Sequence, residues 1–122
     1  MDSKREKAMR SDYTRYADLI AQARRTPAGS DTETALLEQA HAIRSPWVSN
    51  HQGSGHEWSY LDTATGAAKA GRDIDADLKF FHGTDPAEPT PIQQRHRAQA
   101  QWIAERHQHN TERPQRGIQR SR

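Results

Sequence analysis

The chain contains no cysteine, which removes disulfide staples, thiol nucleophiles and zinc-ribbon ligands together. It has no run near the roughly 18 apolar residues a membrane span requires, and its N-terminus, MDSKREKAMR, is charged with no apolar stretch behind it. A soluble, cytoplasmic protein is therefore expected. Large aliphatic side chains are also scarce. Leu, Ile, Val and Phe make up 14 of 122 residues, below the roughly 20% under which a highly charged chain stays disordered. Net charge, however, is only +2, so disorder throughout is not forced. This composition implies a thin core, padded by 17 alanines and anchored on Trp47, Trp58, Trp102 and the three tyrosines. Ordering the backbone costs roughly 1 to 2 kcal/mol per residue, which so lean a core offsets poorly. A protein partner, a nucleic acid or a second copy of the chain is expected to complete it.

The small net charge hides a layout. Residues 1–25 carry seven Lys/Arg against four Asp/Glu, residues 26–90 four against ten, and residues 91–122 seven against two. Basic ends flank an acidic middle. Such ends suit a polyanion or an acidic surface, and the middle suits a basic partner; the same layout also serves plain solvation, with the ends folding back on the middle.

The spacing predicts a mostly α protein, a small bundle of three to four helices forming one domain over 1–109. Tyr13, Tyr16, Ala17, Ile20 and Ala23 recur at helical intervals and predict a helix over about 12–25, with Asp12 in its first turn. Pro27 and Gly29 break it. Ser30 with Glu33 forms a capping box for a second helix over about 31–44, which stops before Pro46 because Ser45 is biased away from helical angles. Ser54 with Glu57 offers another capping box. From there Tyr60, Ala64, Ala67, Gly71, Ile74, Leu78 and Phe81 are spaced 4, 3, 4, 3, 4, 3, a packed helical seam over about 56–82, with a break admitted between 66 and 73 at Gly66 and Gly71. A proline-rich linker comes next. Thr90, Pro91 and Gln93 then start a helix over about 91–108 with Ile92, Ala98, Trp102 and Ile103 as its apolar contacts. From Asn110 periodicity is lost, so 110–122 reads as a disordered basic tail.

In GRDIDADLKFF, residues 71–81, Asp73, Asp75 and Asp77 stand at alternate positions. On a helix Ile74, Leu78 and Phe81 share a stripe; on a strand all three carboxylates share a face, the α+β alternative being a small hairpin or three-stranded sheet around 56–80. Asp and Ala are depleted in strands and no convincing pairing strand exists, which favours helix. As a calcium loop the segment lacks the glycine at the sixth position, which is Leu78, and the glutamate at the twelfth, which is Thr84.

His107, Gln108 and His109 resemble the paired histidines of rolling-circle and conjugative nickases, with Tyr13 or Tyr16 as the nucleophile upstream. Those enzymes mount the pair on a strand with an apolar residue between. Here Gln108 is polar and the setting helical, so the two histidines diverge. His51 and His56 are five apart, not the four of a zinc-protease helix, and Gly53 and Gly55 lack the Lys-Ser or Lys-Thr of a phosphate loop. No G-x-S-x-G elbow occurs. The expectation is a non-enzymatic binding protein with no metal and no cofactor, a histidine-metal nuclease or nickase ranking third.

Two surfaces compete for the binding role. The first is the acidic middle, Asp73, Asp75 and Asp77 with Trp47 and Trp58 as anchors, docking as an accessory or inhibitor on the basic surface of a protein in a nucleic-acid-handling complex. The second is the C-terminal third, where Arg95, Arg97, Arg106, Arg113, Arg116 and Arg120 interleave with glutamines and Trp102, suited to nucleic acid contacted largely without regard to sequence.

Overall fold

The computed structural model describes the backbone of residues 3–49, 54–83 and 87–120, and the side chains of residues 3–49, 55–83 and 87–108. The described residues form five α-helices in order: α1 Ser3–Arg24, α2 Asp31–Val48, α3 Ser54–Lys69, α4 Ile74–His82 and α5 Pro91–Arg120. No strand occurs among the described residues, and residues 74–82 are helical, so the sheet alternative for 56–80 falls away. None of the described helices is long and apolar enough to cross a membrane. The chain divides into two compact units, Met1–Ser59 and Tyr60–Arg122.

In the first unit, α1 begins nine residues before the expected start. The reason lies in Glu6, Met9, Tyr13 and Ala17, all buried at intervals of three and four, which carry one stripe back through the charged N-terminus. Glu6 is tolerated inside because Arg10, one turn on, pairs with it at 3.4 Å. Asp12 is therefore in mid-helix and serves another purpose: its Oδ2 accepts the Trp47 indole N–H at 2.9 Å and its Oδ1 pairs with Arg15 at 3.1 Å. The indole contact bears on α2, which runs through Pro46 to Val48 instead of stopping before it. A proline in the last turn forfeits one helical hydrogen bond, while the Trp47–Asp12 bond ties the turn beyond it to α1 and the Ser49 N–H closes on the Ser45 carbonyl at 3.0 Å.

The α2 start obeys the capping-box logic with one change. Ser30 Oγ accepts the Glu33 N–H at 3.1 Å, but the Glu33 carboxylate reaches past Ser30 to the Gly29 N–H at 2.9 Å. Packed inside this unit is an aromatic triangle. Trp58, 1% exposed, meets the edges of Tyr13 at 5.0 Å and Tyr16 at 5.3 Å, and the two tyrosines lie 5.6 Å apart. The Trp58 Nε1 has no hydrogen-bond partner among the described residues.

The second unit takes the rest of α3, with α4 and α5. Tyr60, Leu61, Ala64, Ala67, Leu78, Ala100 and Ile103 are buried, alanines supplying what aliphatics do not. The Thr65 hydroxyl, also buried, donates to the Leu61 carbonyl at 2.8 Å. Tyr60 stands between two histidine rings, His82 at 5.7 Å and His96 at 5.9 Å, and Thr63 Oγ1 lies 3.1 Å from His82 Nε2. The seam does not run on to Phe81, which is 64% exposed, because the chain turns between α3 and α4. At that turn Gly71 adopts φ +72°, its N–H bonding the Ala68 carbonyl and the Arg72 N–H reaching back to the Ala67 carbonyl. Both bonds satisfy helix-end carbonyls in the Schellman pattern, with the left-handed residue where glycine is free of a Cβ penalty.

α5 starts as the sequence indicates: Pro91 leads, the Thr90 N–H donates to Gln93 Oε1 at 2.9 Å and the Gln93 N–H to Thr90 Oγ1 at 3.2 Å. Helical backbone then continues to Arg120, past the end expected at 108 and through the segment read as an aperiodic tail. Once a helix is nucleated each further residue needs only its own two dihedrals fixed, and Arg, Gln and Glu propagate it well, against the cost of Pro114 and Gly117 within the same stretch. The capping box at Ser54 involves a side chain outside the described residues, and the loop residues His51 and Gly53 lie outside them as well.

Two opposite effects are expected from one substitution type. Gly66→Ala, in the exposed interior of α3 with nothing within 4 Å of the added Cβ, raises stability by up to about 1 kcal/mol; Gly71→Ala, at φ +72°, lowers it by roughly 1 to 2 kcal/mol. Urea unfolding with circular dichroism as the signal reads both, and a stabilising Gly71→Ala would remove the proposed turn geometry. In the first unit, Trp58→Ala costs about 3 to 5 kcal/mol, whereas Trp58→Phe keeps a ring, removes the unmet indole donor and costs clearly less; equal losses would mean the ring contacts matter little.

Candidate nucleic-acid interface

The acidic cluster resolves first. Asp73 is the N-cap of α4, its Oδ1 accepting the Asp75 N–H at 3.0 Å. Asp75 and Asp77 occupy the first turn, where the helix dipole favours negative charge, with Lys79 and His82 at the other end. Asp77 pairs with Arg72 at 3.0 Å, and Asp75 pairs with Arg97 of α5. Each of the three carboxylates thus has a structural task within its own unit. Among the described residues no three His, Cys, Asp or Glu come together as a group that could hold a metal ion.

The tryptophans named as anchors are also engaged. Trp58 is inside the first unit, so it offers no surface to a partner. Trp47 is half-buried, its indole N–H held by Asp12 and its ring covered by the Arg5 guanidinium at 5.6 Å. The exposed large apolar side chains lie elsewhere: Leu37, Phe80, Phe81 and Trp102. Phe80 is 81% exposed and meets Phe81 edge-on at 4.8 Å. Sequence spacing could have found Phe80, since it stands off the Ile74–Leu78 stripe.

α5 departs most from its expected face. Its buried line is His96, Ala100, Ile103 and His107, at intervals of four, three and four, with Ile92 half-buried ahead of it. Ala98 and Trp102 are exposed. Two histidines, His96 and His107, hold buried positions that an aliphatic count assigns to apolar residues. The helical interval was legible; reading histidine as polar hid it. His109 side-chain placement lies outside the described residues.

With that line turned inward, Arg95, Ala98, Trp102 and Arg106 form an exposed line at intervals of three, four and four. Trp102 is 50% exposed, and the Arg106 guanidinium lies 5.3 Å from its ring centroid. The side chains of Arg113, Arg116 and Arg120 lie outside the described residues. Arg97 falls on another face, partly buried against Asp75, and so acts as a structural cation. On the neighbouring exposed flank stand Gln94, Gln101, Glu105 and Gln108.

The chain matches no protein-family model, and no curated protein and no solved structure is similar to it beyond chance.

Loss of the α4 cap separates structural from docking roles. Asp73→Ala is expected to lower stability by about 1 kcal/mol, while the double change Phe80→Ser and Phe81→Ser, on exposed rings, shifts it by less than that. Unfolding midpoints in urea read both; an unchanged Asp73→Ala midpoint would free that carboxylate for another task.

Proposed function

We propose that this protein is a non-enzymatic nucleic-acid-binding protein that contacts the polyanion through the arginine-bearing face of α5, largely without regard to sequence, and that it works in the cytoplasm. The observation that carries the proposal is the exposed line Arg95–Trp102–Arg106, a half-exposed aromatic ring set among cations on one side of a helix in the most basic third of the chain. Guanidinium groups match phosphate oxygens bidentately, and a helix that holds them on either side of an aromatic ring can follow a backbone without reading bases. The acidic middle no longer competes for the role on equal terms, since Asp73, Asp75 and Asp77 cap and pair within their own unit.

Docking on a protein is supported by a different feature, the exposed Phe80–Phe81 pair, whose rings would supply apolar area to a partner. Affinity capture from the native host with and without nuclease treatment divides the two. Partners lost on nuclease treatment travel with nucleic acid; partners retained, and lost only when Phe80 and Phe81 become serine, dock directly.

Affinity for nucleic acid is expected to fall steeply with salt. Each phosphate neutralised contributes about 0.7 to 0.9 to the slope of log affinity on log salt, so replacing Arg113, Arg116 and Arg120 with alanine should reduce that slope by about 2 while leaving the thermal midpoint in place. Fluorescence anisotropy across a salt series measures it. A slope near zero in the unmodified protein would end the proposal.

A further inference from the structure

We infer that the preferred ligand of the α5 face is single-stranded nucleic acid, with Trp102 as the platform on which one unpaired base stacks. The inference rests on the nucleic-acid reading of that face and adds the strandedness of the ligand.

Trp102 is the one tryptophan of the three with half of its surface in solvent: Trp58 is closed in by Tyr13 and Tyr16, and Trp47 is half-buried with its indole N–H held by Asp12. A large ring half exposed beside cations suits a flat ligand that carries negative charge. In a duplex the flat faces of the bases are already covered by their neighbours in the stack, and only edges and phosphates are offered. An unpaired strand offers the faces themselves, and base–aromatic stacking tolerates any sequence because every base has a π-face. The flanking charge fits the same ligand. At 1.5 Å per residue Arg95 and Arg106 stand about 16 Å apart along the axis, with Trp102 between them. A base on the ring would leave its flanking phosphates toward the two guanidiniums. The Arg106 guanidinium lies over the ring at 5.3 Å from its centroid; a base that stacks there takes its place, and the displaced cation stands beside the base. The nearby glutamines Gln94, Gln101 and Gln108 add neutral donors and acceptors on the adjoining flank.

The test compares a single-stranded oligothymidylate of about 20 nucleotides, long enough for one site, with an oligouridylate and a DNA duplex of the same length, by anisotropy at one salt concentration. The full-length protein, Trp102→Ala and Trp102→Phe are measured on all three, with circular dichroism melts to verify that each variant is folded. Trp102→Ala is expected to lose about tenfold or more on the single strands, the effect typical of one stacked base, and less than about twofold on the duplex, where no base face is offered; Trp102→Phe recovers most of the loss. The two single strands distinguish DNA from RNA as the source of the unpaired base. Equal losses on single strand and duplex, or no loss on either, overturn the stacking role while leaving nucleic-acid binding in place. Failure of the unmodified protein to bind any of the three overturns the parent reading and the inference with it.

Discussion

Burying a ring is the step on which each half of this molecule depends. With 14 Leu, Ile, Val and Phe in 122 residues, neither unit can be closed by interdigitated aliphatics, so each is gathered about one aromatic side chain of α3. In the first unit it is Trp58, held edge-on by Tyr13 and Tyr16; in the second it is Tyr60, between His82 and His96. Rings bury a large area for few rotatable bonds. Alanines at 17, 23, 40, 64, 67 and 100 fill the remaining interior.

The same scarcity explains how charge is used. Some polar groups have to enter the interior, and the fold supplies Arg10 for Glu6 and, for Thr65, the carbonyl one turn back. Charges nearer the surface set helix ends and tie helices together. Asp73 caps α4, Asp77 holds Arg72 of the preceding turn, and Asp75 holds Arg97 of α5. A cluster that looks functional by charge count is spent on local geometry. On the outer line of α5 cations and an aromatic ring stand together at the surface, about a third of a turn round the helix from its buried histidines.

Much of the helical framework was legible because its determinants are local. Ser30 with Glu33, and Thr90 with Pro91 and Gln93, mark helix starts through side chains that reach only three or four residues away. Glycine at 71 marks a stop through its own φ. The helices that ran longer than expected did so for reasons at a distance or below the aliphatic threshold: α2 passes Pro46 because Trp47 finds Asp12, 35 residues away, and α1 begins at Ser3 because a paired glutamate can occupy a buried position. The candidate site was legible in part. Arg95, Trp102 and Arg106 were visible as types in a basic segment, but Arg97 could not be told from them until Asp75 was found against it.

Amino-acid order alone determined that the chain is helical, where three of its helices begin and how its charge is distributed, since intervals of three and four, caps and glycines act within a turn or two of backbone. Which face of each helix turns inward was decided only by tertiary structure. Histidine and tryptophan can serve either side: His96 and His107 went in and Trp102 stayed out, and that outcome is set by what neighbouring helices cover, a property no local stretch of sequence contains.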